Sequence, residues 1–327
     1  MYIDYTSSTA GDSDDDPHGT LCAGIIAARY NSTDPAPNSW KGMAPEDLIM
    51  PLKVIGFKKS LIAAAITFAA QGAAVVSISD SDESLDGSDP LTNPVESAIE
   101  DAVNKQGVVI CASTANFNQK TFHYPASHPL VLGCGACNQY GNRCTAADWG
   151  NNRGSNYGDG LSGTVPTGSG LSVVALGVSI TSTDLTDYPA GGGQRGIAIG
   201  DYVQNFWGTS AAAPQVAALA VLIIHNFPVF YRSYPQIRYI IESTAKKVGC
   251  ATVDASGNLL PNPYLLPTCI GPTLVYKTTM GRPNGTWNWE MGYGLIDVAS
   301  ALAMAKQMSQ SYADRQPPAA PAWLRVS

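Results

Sequence analysis

The stretch Asn205-Phe206-Trp207-Gly208-Thr209-Ser210-Ala211-Ala212-Ala213-Pro214 places one serine among small residues, and the uncharged apolar run 215–224 follows it. This run predicts a buried helix, and Pro214 fits its first turn because the missing N–H costs little there. A serine in that turn lies near unpaired backbone N–H groups and the positive end of the helix dipole. Ser210 is therefore a candidate nucleophile, since developing negative charge is stabilised at such a position. The alternative is that Ser210 only caps the helix.

The composition favours a globular enzyme or binding domain with a large core. The chain has 327 residues, of which 45% are hydrophobic and 14% are charged, the latter well below the usual share of about a quarter. Its net charge of -7 argues against a nucleic-acid partner, which needs a basic face. No segment reads as a membrane span.

Apolar runs of strand length alternate with helical patterns along the chain. Because such alternation is typical of parallel βαβ units covered on both faces, it predicts an α/β fold. Strands are predicted at 48–54, 75–79, 108–112, 130–136 and 171–175, and helices at 18–28, 61–70, 93–103, 209–224, 236–245 and 298–308. A glycine-rich surface loop is predicted at 151–170, a glycine-rich loop at 184–200 and a loop-rich insertion at 250–288. One catalytic domain over 1–312 is expected, followed by a Pro/Ala-rich tail at 313–327.

Three separated motifs carry a family resemblance. His18 opens a helix in His-Gly-Thr, Asn116 follows the strand that begins at Val108, and Ser210 opens a helix in Gly-Thr-Ser-Ala-Ala-Ala-Pro. Together they resemble the subtilisin-like serine proteases (peptidase S8) over residues 18–302. The resemblance implies a three-layer sandwich around a mostly parallel central sheet. Cys22 and the Ala-Ala-Ala-Pro after the serine are similar to features of kexin and proteinase K.

The resemblance also implies a division of chemical roles and a serine endopeptidase activity. Ser210 would attack the scissile carbonyl, and His18 would act as the general base. The Asn116 side chain would donate to the oxyanion, although Ala115 stands where the family has glycine. An α/β-hydrolase is excluded, because its motif requires glycine where Ala212 stands and its histidine follows the serine.

The family's catalytic aspartate is harder to assign. Its order in the chain is Asp, His, Ser, yet only 17 residues precede His18. Asp4, Asp12 and the acidic run 14–16 are interpreted as a solvated loop, so no catalytic aspartate is assigned. We therefore expect that the first, Asp-bearing strand is missing and that the chain is an N-terminally truncated piece of a longer precursor. The alternative function is a catalytically impaired pseudoprotease or fragment that binds peptides or partners without turnover. A third interpretation is an intracellular structural protein, which free thiols throughout the chain would favour over a secreted protein.

The resemblance implies that an extended substrate pairs with two strand ends. The residues expected to contact it are Ser77, Ser79, Ser81, Ala112, Ser113 and Thr114. The acidic loop beginning at Asp80 would favour a Lys or Arg side chain in the pocket; a solvated acidic loop is the alternative.

Cysteine spacing leaves several states open. Cys22 and Cys111 are expected to be buried thiols, whereas either Cys137 and Cys144 or Cys250 and Cys269 could form a disulfide. Cys134 and Cys137 have the spacing of a zinc pair, but the second pair that zinc requires is absent from the sequence. The family and these disulfides together predict a secreted, extracellular protein.

No cofactor is expected beyond structural calcium, for which no ligands are assigned. The expected partners are a polypeptide substrate and a pro-region or inhibitor.

Overall fold

The computed structural model describes residues 2–6, 17–29, 40–55, 59–80, 94–158, 170–186, 194, 196–249, 252–253, 259–260 and 274–315. The strands are β1 (Tyr2–Thr6), β2 (Pro51–Ile55), β3 (Val75–Ile78), β4 (Val109–Ser113), β5 (Leu132–Cys137), β6 (Leu171–Leu176), β7 (Ile180–Thr183), β8 (Tyr202–Phe206), β9 (Thr252–Val253) and β10 (Leu259–Leu260). The helices are α1 (His18–Ala27), α2 (Lys59–Gly72), α3 (Pro94–Glu100), α4 (Ala146–Trp149), α5 (Thr209–Asn226), α6 (Tyr234–Thr244) and α7 (Val298–Arg315).

The central sheet has six parallel strands in the order β2-β1-β3-β4-β5-β6. The strands β3, β4 and β5 are buried throughout, as expected for inner parallel strands with both faces covered. The predicted α/β class and mostly parallel sheet are therefore confirmed. Because all six strands run the same way, the loops at their carboxyl ends meet at one edge, where open α/β sheets bind ligands.

The strand β1 corrects the expectation about the start of the chain. It lies between β2 and β3, with Ile3 opposite Leu52 on one side and Ile78 on the other. The expectations that no strand precedes His18 and that Asp4 lies in a loop are therefore wrong. Inner parallel strands usually show a continuous apolar run, whereas Tyr-Ile-Asp-Tyr-Thr is short and carries a charge. Asp12 and the acidic run 14–16 lie outside the described residues.

Two further regions differ from the sequence-based expectation. The antiparallel pair β7 and β8 flanks the glycine-rich stretch 184–200 and was not predicted. The helix α7 continues beyond the expected end at Met308 and enters the predicted tail, because no Gly or Pro interrupts 309–315. Of the insertion at 250–288, the short antiparallel pair of β9 with β10 and residues 274–288 are described.

The helix α5 forms the centre of the core. Val216, Leu219 and Ile223 are fully buried in the cluster that also holds the central strands. Among the described residues α5 is the one helix long and apolar enough to cross a membrane, and 67% of it is buried within the protein.

Replacing Ile3 with proline tests the position of β1. Proline removes a backbone donor from a strand that is paired on both sides, so Ile3→Pro should lower the free energy of unfolding by about 1–3 kcal/mol. Ile3→Val keeps the donor and the β-branched shape and is the matched control. Urea unfolding followed by circular dichroism measures both variants. Equal stability of the proline variant and the control would show that β1 does not lie inside the sheet.

Candidate active site

Ser210 is the second residue of α5, so the interpretation of Ser210 as the helix cap is wrong. Gly208 occupies the N-cap position with φ 103°. The Ser210 hydroxyl donates a 3.2 Å hydrogen bond to the backbone oxygen of Ser79, and the Ser79 hydroxyl donates to the backbone oxygen of Ser210 at 2.9 Å. The start of α5 is thereby joined to the carboxyl end of β3, and the partly exposed Ser210 side chain lies at the positive end of the helix dipole.

Asn116 is held by Thr209, the residue before the serine. The Asn116 side-chain oxygen accepts hydrogen bonds from both the backbone N–H and the hydroxyl of Thr209, each at 2.9 Å. These two donors fix the orientation of the amide. Within the described part of the chain, the Asn116 side chain makes these two hydrogen bonds through its oxygen, and its Nδ2 group is a candidate donor to a ligand.

The backbone around Asn116 has two special features. Ala115 has φ 80° and is buried, a left-handed conformation that costs an alanine about 1–2 kcal/mol, where the family has glycine. Gly208 faces the Asn116 side chain and has φ 103°, a conformation that favours glycine. A Cβ at this position would lie 3.2 Å from the Asn116 Nδ2. Both features keep the amide donor close to the start of α5.

Asn156 fixes the loop that follows Asn116. Its side-chain oxygen accepts from the backbone N–H groups of Phe117 and Gln119, at 2.8 and 3.2 Å, and its Nδ2 donates to the backbone oxygen of Thr121. Asn156 is fully buried, so the prediction that 151–170 is a surface loop is wrong for this residue. The burial of Asn156 could not be predicted from its polar, glycine-rich surroundings, because its hydrogen bonds are made to residues 35 to 39 positions away in the chain.

His18 begins α1 and lies close to the start of α5. Its ring packs edge-on against Phe206 with a centroid distance of 5.8 Å. One turn further along α1, and thus on the same face, the Cys22 thiol donates to the backbone oxygen of Ser210 at 3.4 Å. The helix is fixed from its other side, where the hydroxyls of Ser182 and Thr183 donate to backbone oxygens of α1. The structure therefore brings His18, Asn116 and Ser210 to one region at the carboxyl edge of the sheet.

A cavity of about 300 Å³ opens beside Ser210. It lies where β3 and β4 end, and its walls carry both polar and aromatic side chains. Its lining residues are Ser79, Asp80, Ser113, Ala115, Asn116, Phe117, Arg153, Thr209 and Ser210.

The residues expected to contact substrate divide into two groups. Ser79 and Ser113 line the cavity. Ser77, Ala112 and Thr114 are fully buried and are not among the residues that line this cavity, so a contact between them and the substrate stays a prediction. The backbones of Ser77 and Ala112 are already paired with strands on both sides, and Thr114 donates its backbone N–H to Cys134. Ser81 lies outside the described residues.

The five described cysteines, Cys22, Cys111, Cys134, Cys137 and Cys144, are free and buried. The expectation of buried thiols at Cys22 and Cys111 is confirmed, whereas a disulfide between Cys137 and Cys144 is not formed. Burial raises the pKa of Cys137 to about 12 and raises the pKa of Cys144 as well, so both are neutral thiols rather than the thiolates that bind metal. Cys250 and Cys269 lie outside the described residues.

Among the described residues, Glu96, Glu100 and His128 form the one cluster with the spacing of metal ligands. The His128 Nδ1 accepts from the backbone N–H of Leu130 at 3.0 Å, so the ring proton is on Nε2, which lies 3.0 Å from Glu96. Burial favours a higher pKa for Glu96, but hydrogen bonds from His128 and Tyr124 outweigh it and lower that pKa. A protonated Nε2 cannot bind a metal ion, so this cluster does not fit one. Structural calcium remains a prediction.

Comparisons with known proteins agree with this geometry. A model of the subtilase family, peptidase S8, matches residues 2–294. A thermophilic serine proteinase of Bacillus sp. strain AK1 is 33% identical over 247 residues, which cover 72% of this chain and 50% of that protein. Subtilisin Savinase of Lederbergia lenta is 29% identical, with 75% and 76% covered.

A solved protease structure from Pseudoalteromonas arctica superposes with a TM-score of 0.56 at 21% identity, covering 88% of this chain and 70% of that one. The chain spans about half the length of the AK1 relative. The family match starts at β1 and includes all three motif residues, and this chain belongs to the subtilase family.

Proposed function

We propose that this chain is a serine endopeptidase in which Ser210 is the nucleophile, His18 the general base and Asn116 the oxyanion donor. The observation that carries the proposal is the paired hydrogen bonding of Thr209 to Asn116 beside Ser210. It leaves an amide donor and a serine hydroxyl facing one cavity at a helix N-terminus. Such preorganised donors stabilise the negative charge of a tetrahedral intermediate.

The reaction starts when the Ser210 hydroxyl turns from the Ser79 backbone oxygen, its present acceptor, toward His18. The serine oxygen attacks the scissile carbonyl carbon while His18 takes the hydroxyl proton. The carbonyl oxygen becomes an oxyanion that accepts from the Asn116 Nδ2 and the Ser210 backbone N–H. His18 then protonates the leaving amine, and a water molecule repeats the sequence on the acyl-enzyme.

Asp4 is the proposed carboxylate that orients His18. It lies in β1, one residue beyond Ile3, which is opposite Ile78 of β3. Its backbone is therefore level with Ser79, which bonds Ser210, because strands in parallel register reach the same edge together. The position also agrees with the Asp, His, Ser order of this protease type.

The proposed substrate is an extended polypeptide, and the proposed setting is extracellular, with a pro-region or inhibitor as a further partner. Support for the substrate comes from the cavity at the carboxyl ends of β3 and β4, which Ser79 and Ser113 line. The pairing between these two strands ends at Ile78 and Ala112, so their facing edges are open beyond that point, whereas Ser113 is still paired with Cys134 on its β5 side. Unpaired strand ends bind peptides by backbone hydrogen bonds. The alternative, a pseudoprotease, is less well supported because the serine, the histidine and the asparagine are all present.

Labelling with a fluorophosphonate probe tests the proposed function. The purified chain should form one covalent adduct at Ser210, because the probe needs a serine activated by its base and oxyanion donors. Ser210→Ala should abolish the adduct. Mass spectrometry of the labelled protein provides the measurement, and a folded chain that does not react would favour the pseudoprotease.

Replacing Asp4 with asparagine tests the orienting carboxylate. Asp4→Asn should lower the rate of peptide hydrolysis by about 10⁴-fold, as found when the aspartate of such a triad is replaced. Asp101→Asn removes an exposed carboxylate that is paired with Lys105 in the helical turn Asp101–Lys105, which directly follows α3, and it should leave the rate unchanged. Full activity of Asp4→Asn would reject Asp4 as the third member and leave the role of the catalytic aspartate unassigned, as expected from the sequence.

A further inference from the structure

Arg153 places a cation on the wall of the cavity that contains Ser210 and Asn116. The side chain is exposed, and among the described residues no carboxylate lies within 4.0 Å of its guanidinium. Arg143, by contrast, forms an ion pair with Glu290 at 3.0 Å. Arg153 thus offers a set of N–H donors to whatever enters the cavity.

The guanidinium of Arg153 contacts one tryptophan ring, which packs on a second. It lies 5.1 Å from the ring centre of Trp207, within the range of a cation–π contact. The Trp207 ring in turn packs on Trp149 at 5.4 Å, and the Trp149 indole N–H donates to the backbone oxygen of Gly177 at 3.0 Å. Trp207 stands three residues before Ser210, so this contact fixes the cation relative to the nucleophile.

The backbone next to Arg153 is fixed relative to the oxyanion donor. The N–H of Gly154 donates to the backbone oxygen of Asn116 at 3.2 Å. The hydroxyl of Ser155 accepts from the backbone N–H of Ala136 in β5, so this segment lies on the β5 side of the chain at Asn116. Arg153 is therefore a preorganised donor rather than a charge on a free loop.

We propose that Arg153 binds a carboxylate of the polypeptide substrate and is a specificity-determining residue, an inference that rests on the proposed function. A guanidinium presents two parallel N–H donors that match the two oxygens of a carboxylate. Because its aromatic support is already formed, little side-chain entropy is lost when the carboxylate binds. The carboxylate can come from an Asp or Glu side chain or from the C-terminus of the substrate.

Asp80 is the other charged residue on the cavity wall. It follows Ser79 at the end of β3, whereas Arg153 lies on the β5 side of Asn116. The two opposite charges thus flank the oxyanion donor from different sides. They would contact different positions of an extended substrate, so a basic residue near Asp80 and a carboxylate near Arg153 do not compete.

Matched peptides test this assignment. A series of internally quenched peptides with amidated C-termini carries Asp or Asn at one position at a time around the cleaved bond. The wild-type chain should prefer Asp over Asn at one position by about tenfold in kcat/KM. Arg153→Gln should reduce this ratio to near one, and Arg153→Lys should retain part of it. Lys105→Gln is the control, because it makes the same change in net charge near the amino end of β4, whereas the cavity lies at the carboxyl end. This variant should keep the full Asp/Asn ratio of the wild-type chain.

A second series separates the two sources of carboxylate. Peptides without Asp or Glu are compared as C-terminal acids and C-terminal amides. A tenfold preference for the acid that Arg153→Gln removes would assign the terminal carboxylate, whereas a preference confined to the first series would assign the side chain. Equal Asp/Asn and acid/amide ratios in wild type and Arg153→Gln would overturn the proposal.

Binding to the Ser210→Ala chain distinguishes this inference from the proposed function. Fluorescence anisotropy of the preferred carboxylate peptide and its amide counterpart measures recognition without turnover. The carboxylate peptide should bind about tenfold more tightly, and adding Arg153→Gln should remove the difference. If the wild-type chain is not labelled by the fluorophosphonate but this difference is present, the enzyme proposal fails and carboxylate recognition stands. If the wild-type chain is labelled but the carboxylate peptide and its amide counterpart bind equally tightly, the enzyme proposal stands and carboxylate recognition by Arg153 fails.

Discussion

The two hydrogen bonds from Thr209 to the Asn116 side-chain oxygen are the interaction on which the site depends. They join the segment after β4 to the first turn of α5, so that one contact fixes the proposed oxyanion donor relative to the proposed nucleophile. The backbone N–H of Thr209 is one of the donors that a helix start leaves unpaired, and Asn116 satisfies it. The same bond that completes the helix therefore also orients the Asn116 amide.

This contact can be accurate because both partners belong to rigid elements. The helix α5 is buried along the central strands, and β4 is buried at every position. A separate apolar cluster, which includes Leu21, Cys22 and Phe206, packs α1 against the start of α5. Catalytic groups held by packed helices and strands keep their mutual geometry better than groups on loops.

The sequence predicted those parts of the site that have local signals. His18, Asn116 and Ser210 each stand at the end of a regular element, next to glycine or small residues that the chemistry requires. The buried strands were recognisable as apolar runs, and the bounds of β3 and β4 were correct to within one residue.

The features that were missed depend on contacts between distant residues. The strand β1 is stabilised by pairing on both sides and has too few apolar residues to be recognised alone. The burial of Asn156 and the placement of Arg153 on Trp207 join a glycine-rich segment to residues far away in the chain. Cys137 and Cys144 are near in sequence but unbonded, because the spacing of two cysteines along the chain does not fix the distance and orientation that a disulfide requires.

We propose that Asn116 stabilises the transition state rather than only joining α5 to β4. The most direct measurement is kcat and KM for peptide hydrolysis by Asn116→Ala, with its melting temperature recorded to establish that it folds. We expect kcat to fall by about 10²–10³-fold, the magnitude known for loss of this donor in subtilisin, with KM little changed. A folded variant that keeps kcat within about twofold of the wild-type value, a barrier change of less than about 0.5 kcal/mol, would contradict this proposal.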